Sequence, residues 1–347
     1  MKRIIFYVIF GSFLAVSGFA QVNLQPAAIV NLIRSEPITV GQLRTEVEQM
    51  ERSAGRALTQ AERLQVLDTM INERLAIQAA ERDRVTITEN EVNQQIQQLR
   101  SQMAEQIGRQ PTDAEFNQAI RTQTGLDINA FREQLRRQMI VQKYLLFRKE
   151  DSMRASIRAP TEQEIVNEYN FSRSEFIQPE TVRFSMILVP YGADAAARAR
   201  ARELANRLFQ EIGMDPSKFD EVALRSRAPN SGYQAGDFGY LPMNQDARST
   251  VGDALMNASF SLRQGEVSSL IEGIQGYQII KITEKYAFRN LGLDDIILGY
   301  GITVREYIRQ LMLSQREEAV VVQASQELIA ELRAGRTFQV FENNLNW

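Results

Sequence analysis

The sequence predicts an α+β protein whose first half is helical and whose second half contains a sheet. Two observations support this prediction. Helix starts of one type recur through the first half, and after Pro179 the apolar pattern changes from helical spacing to alternation. The composition agrees, since 44% of the 347 residues are hydrophobic and 24% are charged, as in folded globular proteins. At roughly 150 residues per domain, this length suggests about two domains.

The residue types that the chain lacks restrict its chemistry. With 0 Cys and 0 His, it has no thiol nucleophile, disulfide, Ser-His-Asp triad or usual Cys/His zinc site. Its 40 basic and 43 acidic residues give a net charge of −3, which provides no overall field to attract nucleic acid. The acidic pairs Asp294-Asp295 and Glu317-Glu318 are typical of solvated turns and helices. We therefore expect no metal and no cofactor.

The N-terminus has the three parts of a secretory signal peptide. Lys2 and Arg3 precede an apolar run from Ile4 to Val16, and Gly18 and Ala20 are the small residues of a cleavage site. The run is shorter than the ~20 apolar residues that span a bilayer. We therefore expect cleavage after residue 20 and no later membrane span. The mature protein is expected to be soluble and exported, which in a Gram-negative cell means the periplasm.

The helices of the first half share one start signal. In a capping box, a threonine and a glutamate three residues later satisfy each other's free amide groups. Four segments fit this pattern: Thr59–Glu62, Thr88–Glu91, Thr112–Glu115 and Thr161–Glu164. Apolar residues then follow at helical spacing, for example Leu64, Leu67, Ile71 and Leu75. Because each apolar stripe is narrow, these helices are expected to pack on one another.

The Gln-rich stretch from Asn93 to Gln110 allows two interpretations. The plainer one is a solvated helix face. The other is a recognition surface, because long amide side chains can re-pair with many partners. The sequence permits the second interpretation without showing it.

The second half begins with a strand pattern. Val182, Phe184, Met186 and Leu188 alternate with Arg183 and Ser185, which predicts a half-buried strand that ends at Pro190. The elements predicted after it are a helix at 194–212, a helix from 215, a glycine-rich loop at 231–239, a short helix near 252–260 and strands at 267–271 and 277–283. This order predicts a compact α+β domain.

Four segments of this domain resemble parvulin-type peptidyl-prolyl isomerases in order and spacing: Val182–Val189, Ala235–Gly239, Ala258–Ser268 and Gly276–Lys281. The stretch from Ile29 to Phe147 resembles the N-terminal domain of the SurA family of periplasmic chaperones. The tail resembles that family's closing helix. It enters a further capping box at Thr303–Glu306 and continues to Leu332.

This resemblance implies a helical chaperone core, formed by the N-terminal helices plus the C-terminal helix, with an inserted parvulin-like domain. The implied boundaries are 1–20 for the signal peptide, 21–175 for the SurA-like helical domain, 176–285 for the parvulin-like domain and 286–347 for the C-terminal helix that completes the N-terminal domain.

The resemblance also locates the positions that matter for isomerase activity. Active parvulins resemble one another in two core histidines and a Cys or Asp beside the bound proline. Here the histidine positions are Met186 and Gln278, and the Cys/Asp position falls near Ala228 or Pro229. Because all three polar positions are altered, no catalytic residue is assigned, and weak or lost isomerase activity is expected.

A peptide-binding groove can nevertheless survive these changes. The candidate peptide-binding residues are Met186, Leu255, Phe260 and Gln278, of which Leu255 and Phe260 occupy positions that line the proline site in the family. Ordinary core packing remains an alternative for Met186, Leu255 and Phe260. Gln278 either replaces part of a histidine hydrogen bond or faces solvent. Asp237 is retained from the family pattern, and we expect it to bond turn amides.

Three functions are compatible with these observations. The favoured one is an ATP-independent periplasmic chaperone that holds unfolded outer-membrane β-barrel proteins and other exported polypeptides. The alternative is an active peptidyl-prolyl cis-trans isomerase that acts as a foldase for exported proteins. A third is a scaffold whose parvulin-like domain binds one native partner. Isomerisation needs only a twist past a barrier of about 18–20 kcal/mol. Preorganised polar groups usually supply most of the rate enhancement, and their loss favours the first function.

Overall fold

The computed structural model describes residues 23–345 and confirms the α+β class. The chain divides into two compact units. Unit 1 comprises Met1–Arg158 and Arg316–Trp347, and unit 2 comprises Ala159–Gln315. The predicted signal peptide, residues 1–20, lies outside the described residues. Among the residues that are described, no helix combines the length and apolar character needed to cross a membrane.

The helices are α1 (Val40–Ala54), α2 (Gln60–Arg82), α3 (Glu89–Ile107), α4 (Asp113–Thr124), α5 (Ile128–Ser156), α6 (Glu162–Phe171), α7 (Ala195–Ile212), α8 (Pro216–Arg225), α9 (Gln245–Val251), α10 (Asp253–Ser261) and α11 (Val304–Ala334). The strands are β1 (Pro26–Val30), β2 (Glu36–Thr39), β3 (Ile177–Gln178), β4 (Thr181–Pro190), β5 (Gln234–Pro242), β6 (Ile271–Glu272), β7 (Gly276–Tyr286), β8 (Arg289–Asn290) and β9 (Phe338–Val340).

All four capping boxes predicted for the first half are formed. In each, the threonine hydroxyl accepts the backbone N–H of the glutamate at 3.2–3.4 Å. The glutamate carboxylate accepts the backbone N–H of the threonine at 2.7–2.8 Å. At the start of α11, the Thr303 hydroxyl likewise accepts the N–H of Glu306 at 3.2 Å. These local bonds fix where α2, α3, α4 and α6 begin.

Two of the helix connections repeat one sequence device. Residues 55–62 and 108–115 share the pattern Gly-Arg-x-x-Thr-x-Ala-Glu. In both, the glycine ends a helix with a positive φ, and the arginine donates to both carboxylate oxygens of the capping-box glutamate. The arginine bond is the main reason that the pKa values of Glu62 and Glu115 fall to about 2. The device therefore joins a helix end to the next helix start within eight residues.

Unit 1 contains two apolar cores. The first joins α1, α2 and α5 to the antiparallel sheet of order β2-β1-β9, and Leu328 and Leu332 of α11 lie in it. Strand β9 pairs with β1 through Ala28↔Val340 and Val30↔Phe338, so C-terminal residues lie in the core of the N-terminal helices. The second core packs α3, α4 and α5 together around Phe116 and Phe131.

Unit 2 is built on an antiparallel sheet of order β5-β4-β7-β6. Helices α7 and α8 pack on one face with Ile187 and Val189. Helices α9 and α10 pack on the other with Val182 and Phe184. The prediction that β4 is half-buried is therefore wrong, because β4 is a central strand with helices packed on both faces. A further cluster joins α6 to the start of α11.

The strand predicted at 267–271 is mostly not a strand. Only Ile271–Glu272 form β6, and Val267 makes an isolated bridge to Lys281. The bounds 158/159 and 315/316 of the compact units also differ from the boundaries implied by family resemblance, 175/176 and 285/286. Those implied boundaries stay a prediction.

Candidate functional site

The four predicted peptide-binding residues lie on one face of the unit 2 sheet. Met186, Leu255 and Phe260 belong to one apolar cluster, formed by β4, β7, α9 and α10. Gln278 lies on the same face by register, because it pairs with Leu188 while Ile280 pairs with Met186. We call this surface the α10 face.

The residues of the α10 face differ in how far they are accessible. Leu255 is 2% exposed and forms part of the interior, so it supports the face from below. Met186 and Phe260 are half-buried and pack at the edge of the same cluster. Only these two of the three apolar candidates can contact a peptide directly.

Sequence reasoning missed one accessible residue of this face. Phe238 is 40% exposed, and its ring stacks on Phe184 with centroids 4.6 Å apart. The pairing of β4 with β5 passes from Phe184↔Gly239 to Ser185↔Asp237, so Phe238 occupies a β-bulge. An aromatic residue between an aspartate and a glycine was the available signal. The register that places Phe238 over Phe184 cannot be read from sequence.

Gln278 does not face solvent, and this excludes the solvent-facing interpretation that the sequence left open. It is only 5% exposed, and its Oε1 has no hydrogen-bond partner among the described residues. Gly273 packs so closely on it that a Cβ at Gly273 would lie 2.5 Å from that oxygen. The site therefore holds a buried acceptor without a partner where active relatives are expected to have an imidazole.

The third altered position is also without a polar group. Ala228 and Pro229 are both exposed and lie in the turn that follows α8. The backbone N–H of Ser231 closes this turn on the carbonyl of Ala228 at 3.3 Å. Neither Ala228 nor Pro229 offers a side-chain donor or acceptor to a bound peptide.

Asp237 has the structural role that the sequence predicted, and a second one. Its carboxylate accepts the backbone N–H of Gly239 at 3.0 Å, and it also pairs with Arg183. The Arg183 hydrogen bonds lower the pKa of Asp237. Arg183 alternates along β4 with Val182 and Phe184, so this ion pair points away from the α10 face.

The same ion pair extends into a small polar network. Arg183 also donates to Glu284 at 3.0 Å. The hydroxyl of Tyr286 donates to Glu284, which raises the pKa of Tyr286 to about 12. These contacts tie β4, β5 and β7 together and supply no group to the apolar face.

The α10 face can therefore cover apolar peptide groups but offers no acid, base or nucleophile for a covalent step. The accessible apolar side chains at this face are Met186, Phe260 and Phe238, whose ring stacks on Phe184. Within residues 23–345 no group of three or more Asp or Glu is arranged to hold a metal ion. Apolar contact with a bound peptide is the chemistry that these side chains offer.

Two family models match the chain on either side of residue 150. Residues 1–145 match the SurA-like N-terminal domain, and residues 160–296 match the PPIC-type peptidyl-prolyl isomerase domain. The chain therefore belongs to the SurA-like proteins that carry a parvulin-type domain.

Individual proteins resemble the chain over most of its length. The chain is 27% identical over 283 residues to the chaperone SurA of Saccharophagus degradans. The aligned part is 79% of this chain but only 61% of the relative. The chain is 22% identical over 339 residues to the foldase protein PrsA of Clostridium botulinum, which covers 95% and 90% of the two chains. A solved structure of a SurA-like chaperone from Campylobacter jejuni aligns at 12% identity with a TM-score of 0.39, covering 91% and 99% of the chains.

Proposed function

We propose that this protein is an ATP-independent periplasmic chaperone that holds unfolded outer-membrane β-barrel proteins and other exported polypeptides. Its parvulin-like domain then acts mainly as a peptide-binding module. One observation carries the proposal: the α10 face keeps accessible apolar side chains. Met186 and Gln278 stand where the family resemblance places the two histidines of active parvulins. The relatives described as chaperone SurA support the proposal.

The physical task fits an apolar face. The strands of an unfolded β-barrel carry alternating apolar residues and unpaired backbone groups, which aggregate when they remain uncovered. Phe238 is 40% exposed and Met186 is half-buried, so the ring of Phe238 and the thioether of Met186 can cover such residues. Weak contacts of this kind allow the client to be released without ATP.

Weak isomerase activity follows from the same geometry. An isomerase must stabilise the twisted peptide bond at the top of a barrier of about 18–20 kcal/mol. Donors that are already aimed at the bond supply most of such stabilisation. Met186 has no donor, and the side chain of Gln278 is only 5% exposed, so its amide is not open to a bound peptide bond. The face can therefore hold a proline segment without lowering this barrier far.

The alternative function is an active prolyl isomerase that works as a foldase. It is favoured by the match of residues 160–296 to the PPIC-type domain and by the likeness to foldase protein PrsA. An apolar pocket alone would then have to supply the rate enhancement.

The proposal includes the domain organisation. A chaperone core built from residues 21–175 and 286–347, with residues 176–285 inserted, is supported by the β1–β9 pairing and by Leu328 and Leu332 in the first core. The periplasmic location requires removal of residues 1–20. The mass of the protein recovered from periplasmic extracts tests this removal, and an intact N-terminus would contradict it.

The function is tested with purified residues 21–347. Aggregation of a urea-unfolded outer-membrane β-barrel protein is followed in parallel with isomerisation of a short proline peptide. We expect suppressed aggregation without ATP and isomerisation at the uncatalysed rate. Unsuppressed aggregation would overturn the chaperone proposal, and clear isomerisation would establish the alternative.

A matched pair of variants locates the activity. Phe238→Ala removes an accessible ring of the α10 face and should weaken the suppression of aggregation. Phe288→Ala removes a ring that is 63% exposed and lies outside that cluster. Equal loss in both variants would show that the α10 face has no special role.

A further inference from the structure

One exposed face of α3 consists almost entirely of neutral amide side chains. Eight residues spaced three and four apart form this face: Asn90, Asn93, Gln94, Gln97, Gln98, Ser101, Gln102 and Glu105. All eight are exposed, they line one open surface depression, and only the last is charged. We call this surface the amide stripe.

The helix that presents the amide stripe is fixed in orientation. Val92 and Ile96, on the other side of α3, are buried in the core with α4 and α5. The capping box at Thr88 fixes the start of the helix, and Gly108 ends it. The stripe therefore faces outward from a helix whose backbone is held in place, while its long side chains remain free to move.

The amide stripe differs from the exposed surface of the neighbouring helix α5, which includes Lys143, Glu150 and Arg154, each in an ion pair. On the amide stripe, Asn93 accepts a hydrogen bond from Arg132 at 2.6 Å. Within residues 23–345, the side chains of the four glutamines of the stripe make no hydrogen bond to another residue. Their donors and acceptors are thus free.

The chemistry of the stripe matches one class of ligand. Each glutamine or asparagine offers two N–H donors and one carbonyl acceptor, the same groups that a peptide backbone presents. These groups carry no net charge, so they neither select nor repel charged side chains of the bound segment. An extended chain presents unpaired N–H and C=O groups along both edges, and long amide side chains can adjust to them.

We infer that the amide stripe of α3 binds the backbone of an extended, unfolded client segment through side-chain amide hydrogen bonds. This inference rests on the proposed chaperone function and names a second surface for the same client. The α10 face would cover apolar side chains, whereas the stripe would satisfy backbone polar groups irrespective of sequence.

The test removes the amides and keeps the helix. In one variant Gln94, Gln97, Gln98 and Gln102 are all replaced by alanine, the residue with the highest helix propensity. The matched control replaces four exposed helical glutamines elsewhere: Gln142, Gln210, Gln315 and Gln326. Far-UV circular dichroism and the thermal midpoint confirm that both variants fold.

The readout is the chaperone concentration that halves aggregation of a urea-unfolded outer-membrane β-barrel protein. We expect the stripe variant to need roughly tenfold more protein, as a few lost hydrogen bonds would cause, and the control to match the wild type. A photo-crosslinking residue at position 98 should form adducts with the client, and one at position 326 should not.

The outcomes separate this inference from the function on which it rests. If the wild type fails to suppress aggregation, the proposed function fails. If the wild type succeeds and the stripe variant performs equally well, the inference is overturned and the proposed function stands. If the stripe variant changes only self-association in sedimentation, the stripe pairs with a second copy of the chain, and the inference is also overturned.

Discussion

The helical region α3–α5 and the sheet of unit 2 differ in how far apart along the chain their stabilising partners lie. In the helical region, a capping box joins residues three apart, and the Gly-Arg device acts within eight residues. In the sheet, Arg183 bonds Glu284, which is 101 residues away. The starts of these helices are therefore determined by residues a few positions apart, whereas the α10 face depends on the register between strands that are distant in the chain.

The two regions also differ in what they leave accessible. The helical region exposes a neutral polar row on α3, and the sheet exposes apolar side chains such as Phe238. An unfolded chain presents both kinds of group, backbone amides and apolar side chains. Long-range packing thus creates an apolar surface on the sheet, whereas local signals create a polar surface on a helix.

The largest predicted effect breaks the sheet region. Leu255→Ala leaves a cavity beneath the α10 face, because Leu255 is 2% exposed among residues of β4, β7 and α10. The free energy of unfolding of unit 2 should fall by about 2–5 kcal/mol, measured by urea unfolding. Leu224→Ala is the control, since Leu224 is 61% exposed. Similar losses in both variants would contradict the burial described for Leu255.

A smaller effect tests the local device of the helical region. Thr112→Ala removes the hydroxyl that accepts the Glu115 N–H at 3.3 Å. We expect the free energy of unfolding to fall by about 1 kcal/mol. Thr122→Ala lies on the exposed surface of the same helix and should cost nothing or stabilise slightly. If Thr122→Ala is the more damaging change, the capping box does not fix α4.

The acid response of the helical region depends on the same connection between Arg109 and Glu115. Hydrogen bonds from Arg109 and from Thr112 hold the pKa of Glu115 at about 2, below the ordinary value of 4.5. Its contribution to stability is therefore complete above the unfolded pKa and is lost as the pH falls from about 5 toward 2. Glu115→Gln should make thermal stability less dependent on pH in that window. An unchanged pH profile would show that the bond to Arg109 is not maintained in solution.

The smallest expected effect has the opposite sign. Burial raises the pKa of Glu46, the Glu73 carboxylate adds to the rise, and Arg137 opposes it. Because the pKa of Glu46 is higher in the folded protein than in the unfolded chain, stability falls as the pH rises from the unfolded value of 4.5 through the raised folded pKa. Glu46→Gln should therefore stabilise unit 1 at pH 8 and have less effect below pH 4.5. The exposed Glu48→Gln serves as the control, and an equal gain there would argue against burial as the cause.

The features predicted correctly from the sequence depend on residues close together in the chain, and the features predicted wrongly depend on distant ones. All four predicted capping boxes formed, and Asp237 bonded the turn amide as expected. The half-buried reading of β4 failed because Ile187 and Val189 meet helices that arrive from elsewhere in the chain. The strand predicted at 267–271 shrank to β6 because its pairing with β7 begins only at Ile271. Phe238 was missed because residues 231–239 were predicted to be a loop, which is wrong: Gln234–Pro242 form β5, and a bulge in its pairing with β4 sets the direction of Phe238.

The sequence by itself determined the α+β class, the helix starts and the absence of thiol and imidazole chemistry, because these depend on composition and on residues a few positions apart. Only the tertiary structure decided that Gln278 is buried, that Leu255 supports the face from within and that Phe238 reaches its surface. Those outcomes depend on how β4, β5 and β7 pair, and a shift of one residue would exchange the two faces of each strand. Local patterns cannot encode that register, because the strands that share it are distant in the chain.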